Sequence, residues 1–95
     1  MILVTLPRFD PGRVVATPGV VEALNRAGQS VWSILVRHLS LDCGECDEAG
    51  RTANDRAVEK GTHILSTYRL TTDETVWVVT DGDRVSTRLT LPDEW

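Results

Sequence analysis

Cys43-Gly44-Glu45-Cys46 is the segment whose residue types and spacing come closest to chemistry. Two thiols separated by two residues can supply half of a tetrahedral metal site or cycle between dithiol and disulfide. His38 precedes the pair and His63 follows it, so Cys43, Cys46, His38 and His63 are the candidate ligands of a Cys2His2 structural zinc site. The spacing argues against zinc. Such sites repeat a short ligand spacing, and neither a second C-x-x-C nor a short H-x-H spacing occurs here. His38 also falls on the apolar stripe of a helix, where a hydrogen-bonded core histidine is the simpler reading. A redox pair needs its thiol made acidic by a helix N-terminus that follows a strand. Here the motif follows a helix and is flanked by Asp42, Glu45 and Asp47, whose charges raise a thiol pKa. Two reduced loop thiols are the default expectation.

A second cluster follows from strand register. Asp81-Gly82 is a strong signal for a two-residue hairpin, because a type I′ turn needs positive φ at both positions. Such a loop pairs Thr80 with Asp83, Val78 with Val85 and Val76 with Thr87. By parity, Tyr68, Leu70, Val76, Val78, Val85, Thr87, Leu89 and Leu91 then share the core face. Trp77 lies on the outer face, ringed by Arg69, Arg84 and Arg88. In the plain reading, arginine stems cover an exposed indole, with a cation–π gain of roughly 0.5–1 kcal/mol. In the functional reading, Trp77, Arg69, Arg84 and Arg88 form an interaction surface, since Trp and Arg are the residues most enriched at interface hot spots. Aromatic and arginine side chains on a sheet also stack nucleotide bases. The formal charge of −4 opposes the basic field that nucleic-acid binding requires. A protein partner is therefore expected ahead of a nucleic acid.

No other pattern carries chemistry. There is no P-loop, G-x-G-x-x-G, H-E-x-x-H or G-x-S-x-G. No spacing singles out a pair among the carboxylates of Asp10, Asp42, Asp47, Glu48, Asp55 and Glu59. The expectation is a non-enzymatic protein without a cofactor.

The elements that must position these groups are legible in outline. The 95 residues suit one domain, and 41% hydrophobic with 25% charged residues is ordinary for a globular chain. No apolar run reaches the length of a membrane span, and Ile2-Leu3-Val4-Thr5-Leu6 lacks the basic start of a signal peptide, so a cytoplasmic setting is expected. Residues 2–6 and 13–16 are β-prone. Thr17-Pro18 opens a helix, with Val20, Val21, Leu24 and Ala27 on one face and Gly28 as its stop. Ser30 caps a second helix bearing Val31, Ile34, Leu35, His38 and Leu39, widened by Trp32 and Val36, which should be the most buried. A third helix runs from about 47 to 60, lying on the domain through Ala49, Ala53, Ala57 and Val58. Strands at 62–70, 76–80 and 84–91 complete the chain. The expected fold is α+β: an αα-hairpin and a third helix packed on one face of a C-terminal three-stranded antiparallel meander, which the N-terminal strand would extend.

Several strings together carry a resemblance. They are Arg13-Val14-Val15-Ala16-Thr17-Pro18-Gly19, Asn54-Asp55-Arg56-Ala57, Ile64-Leu65-Ser66-Thr67-Tyr68-Arg69-Leu70, and Val76-Trp77-Val78-Val79-Thr80 with Leu89-Thr90-Leu91-Pro92-Asp93-Glu94. Over most of residues 12–95 the chain resembles a family of small bacterial proteins frequent on plasmids, phages and integrated elements. That family is loosely labelled "type I restriction endonuclease subunit M". The label implies no activity here, because a true modification subunit is several times longer and carries methyl-donor and N/D-P-P-Y/F motifs that this chain lacks. What the resemblance implies is an accessory of a mobile genetic element, one that modulates a host or restriction system. In that family the stretch matching residues 42–47 reads more like D-W-G-E-L-D. Cys43 and Cys46 thus stand where large apolar residues do, which implies buried or half-buried loop thiols rather than a family metal site.

Overall fold

The structure is a computed structural model and describes residues 7–94. The β-prone run 2–6 lies outside them. The elements run β1 (Arg13–Ala16), α1 (Pro18–Ala27), α2 (Val31–Leu39), α3 (Glu48–Lys60), β2 (Ile64–Arg69), β3 (Thr75–Thr80) and β4 (Ser86–Thr90), closed by a 3-10 turn, Pro92–Glu94.

The helices begin and end where capping chemistry dictates. Thr17 accepts from the Val20 N–H, Ser30 from the Ser33 N–H and Asp47 from the Gly50 N–H, while Gly28 and Gly61 close α1 and α3 in the left-handed region. The sheet order is β1-β4-β3-β2. β2, β3 and β4 form the antiparallel meander, and β1 joins the far side of β4 in parallel. The fold is α+β, as expected.

Val20, Ala23, Leu24 and Ile34 of the helices close over Tyr68, Leu70, Val76, Val78 and Leu89 of the sheet. A smaller cluster joins Leu41, Ala57 and Ile64 beneath Phe9 and Val58. All three helices therefore sit on the sheet face that carries Ile64, Tyr68, Val76 and Val78. Burial of each large side chain here stabilises the fold by roughly 1.5–3 kcal/mol.

Three expectations are corrected. The hairpin is not closed by two residues. Thr80 pairs with Thr87 and Val78 with Leu89, which is four residues away from the expected pairing. The Arg84 N–H donates to the Asp81 carbonyl and the Asp81 N–H to the Ser86 carbonyl, so residues 82–85 form the loop. An even slip preserves the faces: Tyr68, Leu70, Val76, Val78, Thr87 and Leu89 are buried as expected, and Leu91 packs against them. Val85 leaves the core for the loop and is 64% exposed.

Trp32 does not widen the buried face of α2 but is 65% exposed. It stands beside the stripe of Ile34, Leu35, His38 and Leu39 that faces inward. On α3 the inward residues are Asn54 and Ala57, while Ala49 and Ala53 are exposed. Asn54 takes the central place because its side-chain amide replaces a missing strand. Its Nδ2 donates to the Leu65 carbonyl at 2.7 Å and its Oδ1 accepts from the Leu65 N–H at 3.1 Å, on the outer edge of β2.

Candidate functional site

Strand register builds the outer face of the sheet. Leu65 pairs with Val79 and Val79 with Arg88, forming a row across β2, β3 and β4. In the next row Thr67 pairs with Trp77 and Trp77 with Thr90. Arg69 and Arg88 occupy the diagonal positions beside Trp77, within reach for long side chains. Trp77 is half-buried, and Arg69 and Arg88 are exposed. Among the described residues no helix packs on this side. Val79 and Thr90 are nevertheless almost completely buried here, and Thr90 Oγ1 has no hydrogen-bond partner. A shallow concavity of about 290 Å³ lies on the same face, lined by His63, Leu65, Val79 and Arg88.

The charge on this face is smaller than expected. Arg69 lies 3.4 Å from a Glu45 carboxylate oxygen and 3.5 Å from one of Asp73. Arg84 is absent from the face altogether. It sits in the hairpin loop at φ 62. Its guanidinium donates to the carbonyls of Ala57, Thr62 and Asp81 at 2.7, 2.7 and 3.0 Å and lies 5.7 Å from the Phe9 ring centroid. Arg84 thus ties the hairpin to the C-terminal end of α3. The expected quartet reduces to Trp77, Arg69 and Arg88, with His63, Leu65 and Val79 as neighbours that register alone did not single out.

His38 is the core histidine its helical position suggests. It is fully buried, with Nδ1 2.6 Å from Ser66 Oγ and Nε2 2.8 Å from Thr80 Oγ1. The chain of hydrogen bonds fixes its tautomer. The Pro11 carbonyl can only accept, so Thr87 Oγ1 donates to it at 2.7 Å. Thr80 Oγ1 then donates to Thr87 at 2.6 Å and accepts from Nε2–H of His38, leaving Nδ1 to accept from Ser66. Burial pushes the imidazole down to about 4, so the ring is neutral. The Ser66–His38 contact has the atoms of a nucleophile–base pair, but Ser66 is 1% exposed and no substrate reaches it.

The cysteines depart from expectation. Cys43 and Cys46 are not separate thiols but are joined as a disulfide. Cys43 is buried and Cys46 half-buried. Both nitrogens of His38 are committed to hydroxyls, and His63 lines the concavity on the outer face. Among the described residues no group of three or more His, Cys, Asp or Glu is placed to hold a metal ion. No helix among them is long and apolar enough to cross a membrane. Compared with known proteins, the chain matches no family model, no curated protein and no solved structure.

Proposed function

We propose that this protein is a non-enzymatic accessory that binds another protein through the outer face of its sheet, at Trp77, Arg69 and Arg88. The observation that carries the reading is the concavity of about 290 Å³ on the face that no described helix covers. Its floor is apolar, from Leu65 and Val79, and its rim is polar, from His63 and Arg88. An apolar centre with a polar rim is the usual anatomy of a protein interface. The setting in a mobile genetic element, and a role in modulating a host or restriction system, rest on the resemblance of the strings quoted above.

Two features favour a protein over a nucleic acid. Arg84 spends its donors on backbone carbonyls, and Arg69 stands between two carboxylates. The net charge of −4 opposes binding to a polyanion.

The test is affinity capture from host lysate with the wild type, the Trp77→Ala/Arg88→Ala double variant and Trp32→Ala on the helical side. Partner recovery is expected to fall at least about tenfold in the double variant, as for loss of hot-spot side chains, and to persist in Trp32→Ala. Equal recovery from wild type and double variant would place the interface elsewhere. Fluorescence anisotropy with a DNA and an RNA oligonucleotide covers the alternative. Binding that weakens steeply with added salt would favour a nucleic-acid module on the same sheet.

A further inference from the structure

Residues 42–47 lie along the outer edge of β2 like a fragment of an extra strand. The Thr67 N–H donates to the Cys43 carbonyl at 3.0 Å, and the Glu45 N–H donates to the Thr67 carbonyl at 2.7 Å. Gly44 and Thr67 thereby form a parallel bridge. Gly44 sits at φ 70, and a Cβ there would run into the Thr67 carbonyl, so the approach needs glycine. Around the bridge, Tyr68 Oη donates to the Asp42 carbonyl, Arg37 holds the Asp42 carboxylate at 2.8 Å, and Arg69 pairs with Glu45. The joined sulfurs span this turn. They are unlike in access: Cys43 is 1% exposed. Cys46 is half-buried and stands one residue before Asp47, the N-cap of α3.

We propose that Cys43–Cys46 is a thiol–disulfide exchange site whose redox state sets how firmly the loop covers the β2 edge. A thiolate of a dithiol reductant attacks Cys46 Sγ, the sulfur that solvent reaches. The bond between the two protein sulfurs breaks, and its electron pair leaves on Cys43 Sγ, which takes a proton from water. The reductant's second thiolate then attacks the reductant sulfur of the mixed disulfide and releases Cys46, which is protonated in turn. Two electrons and two protons pass to the protein, and the reductant ends as its own disulfide. With the ring open, the loop stays on β2 through its hydrogen bonds and the Arg37–Asp42 and Arg69–Glu45 ion pairs without a covalent staple, and the Thr67 amide opens more often.

Hydrogen exchange on the full-length protein tests the consequence, with dithiothreitol as the reductant. Leu65 serves as internal control, because Asn54 rather than the loop holds its amide. Exchange at Thr67 is expected to accelerate by roughly tenfold or more on reduction, the order expected for opening so short a ring, while Leu65 stays unchanged. Equal Thr67 exchange in the two states would overturn the clasp. Iodoacetamide mapping tests the chemistry. Under limiting dithiothreitol, Cys46 is expected to label before Cys43. In the folded Cys43→Ser protein Cys46 should react readily, and in Cys46→Ser the remaining Cys43 should stay protected. Equal labelling of the two, or failure of the reduced wild type to lose two hydrogens with oxidised glutathione, which is reduced to two thiols as the protein disulfide forms, would remove the exchange site.

Discussion

At the scale of single residues, the buried chain from Ser66 through His38, Thr80 and Thr87 to the Pro11 carbonyl decides how stability responds to acid. Thr80 and Thr87 each donate and accept, Ser66 donates to Nδ1, and the neutral ring is the form that completes the chain. A proton on Nδ1 would turn the acceptor into a second donor and bury a charge that nothing offsets. The unfolded His38 titrates near 6.5 and the folded one at about 4. Between those values the unfolded chain holds more protons, so stability is full above pH 6.5 and falls as pH drops toward 4. The loss across this window is about 3 kcal/mol, set by the span from 6.5 to about 4. Urea unfolding at a series of pH values measures it, and the slope from pH 6.5 down to the ordinary 4.5 of Glu74 and Glu94, below which those two carboxylates act in the same direction, should vanish in His38→Gln. A slope that survives would belong to another group. Asp42 acts in the same direction, but only below its ordinary 3.8, because its hydrogen bond with Arg37 holds it low. The position of His38 on an apolar stripe was enough to read it as core. Its hydroxyl partners are not legible, because they come from β2 and β3, and a lone buried Ser or Thr leaves no periodic trace in a strand.

At the scale of elements, the hairpin between β3 and β4 shows how a strong local signal yields to tertiary contacts. Asp81-Gly82 favours a two-residue turn, yet Arg84 takes the left-handed conformation and opens the loop. What it gains is the set of bonds from its guanidinium to the Ala57, Thr62 and Asp81 carbonyls. The Ala57 carbonyl lies in the last turn of α3 and the Thr62 carbonyl two residues past its end, where the negative end of the helix dipole attracts a cation. The faces of the sheet survived this change because the slip is even, which is why the inward set was readable while the partner of each residue was not. The same contacts predict an order among variants. Arg84→Ala loses the bonds and keeps a side chain at positive φ, for a cost of about 2 kcal/mol. Arg84→Gly loses the same bonds but is at ease at φ 62, so it should be the more stable of the two by roughly 1 kcal/mol. Denaturant midpoints would show this, and a glycine variant no better than alanine would mean that the loop backbone carries no strain. Asn54 makes a related point about α3. Its stripe of small residues is thin, and only Ala57 and Val58 of that stripe reach the core, but a carboxamide pairing with a strand edge can be buried without apolar contact.

At the scale of the whole molecule, β1 extends the meander as the N-terminal strand is expected to, but its edge and direction are not locally legible. A strand that adds in parallel to the far side of the last strand has no turn or register signal near it, and its contacts join opposite ends of the chain. Thr17 and Glu94, bonded at 2.6 Å, are 77 residues apart in sequence. Thr17 caps α1 with the oxygen that also donates to Glu94, and the Leu91 N–H donates to the same carboxylate. The strings Thr17-Pro18-Gly19 and Leu91-Pro92-Asp93-Glu94 thus meet in one contact that ties the start of α1 to the 3-10 turn. The two sheet edges differ as well. β2 is covered at Leu65 by Asn54 and at Thr67 by the 42–47 loop. β1 has four residues, with Val14 and Val15 38% and 42% exposed. Short, exposed edge segments open locally at a small fraction of the global free energy. Native-state hydrogen exchange should therefore find the Arg13 and Thr17 amides, bonded to the Val85 and Leu89 carbonyls, exchanging through local opening. The amides of β3 beside fully buried Val76 and Val78 should exchange only by global unfolding, orders of magnitude more slowly. Glu94→Ala should speed exchange at Thr17 and leave β3 untouched. If the Arg13 and Thr17 amides were instead as protected as β3, β1 would belong to the cooperative core, and the long-range contact would form with the meander rather than after it.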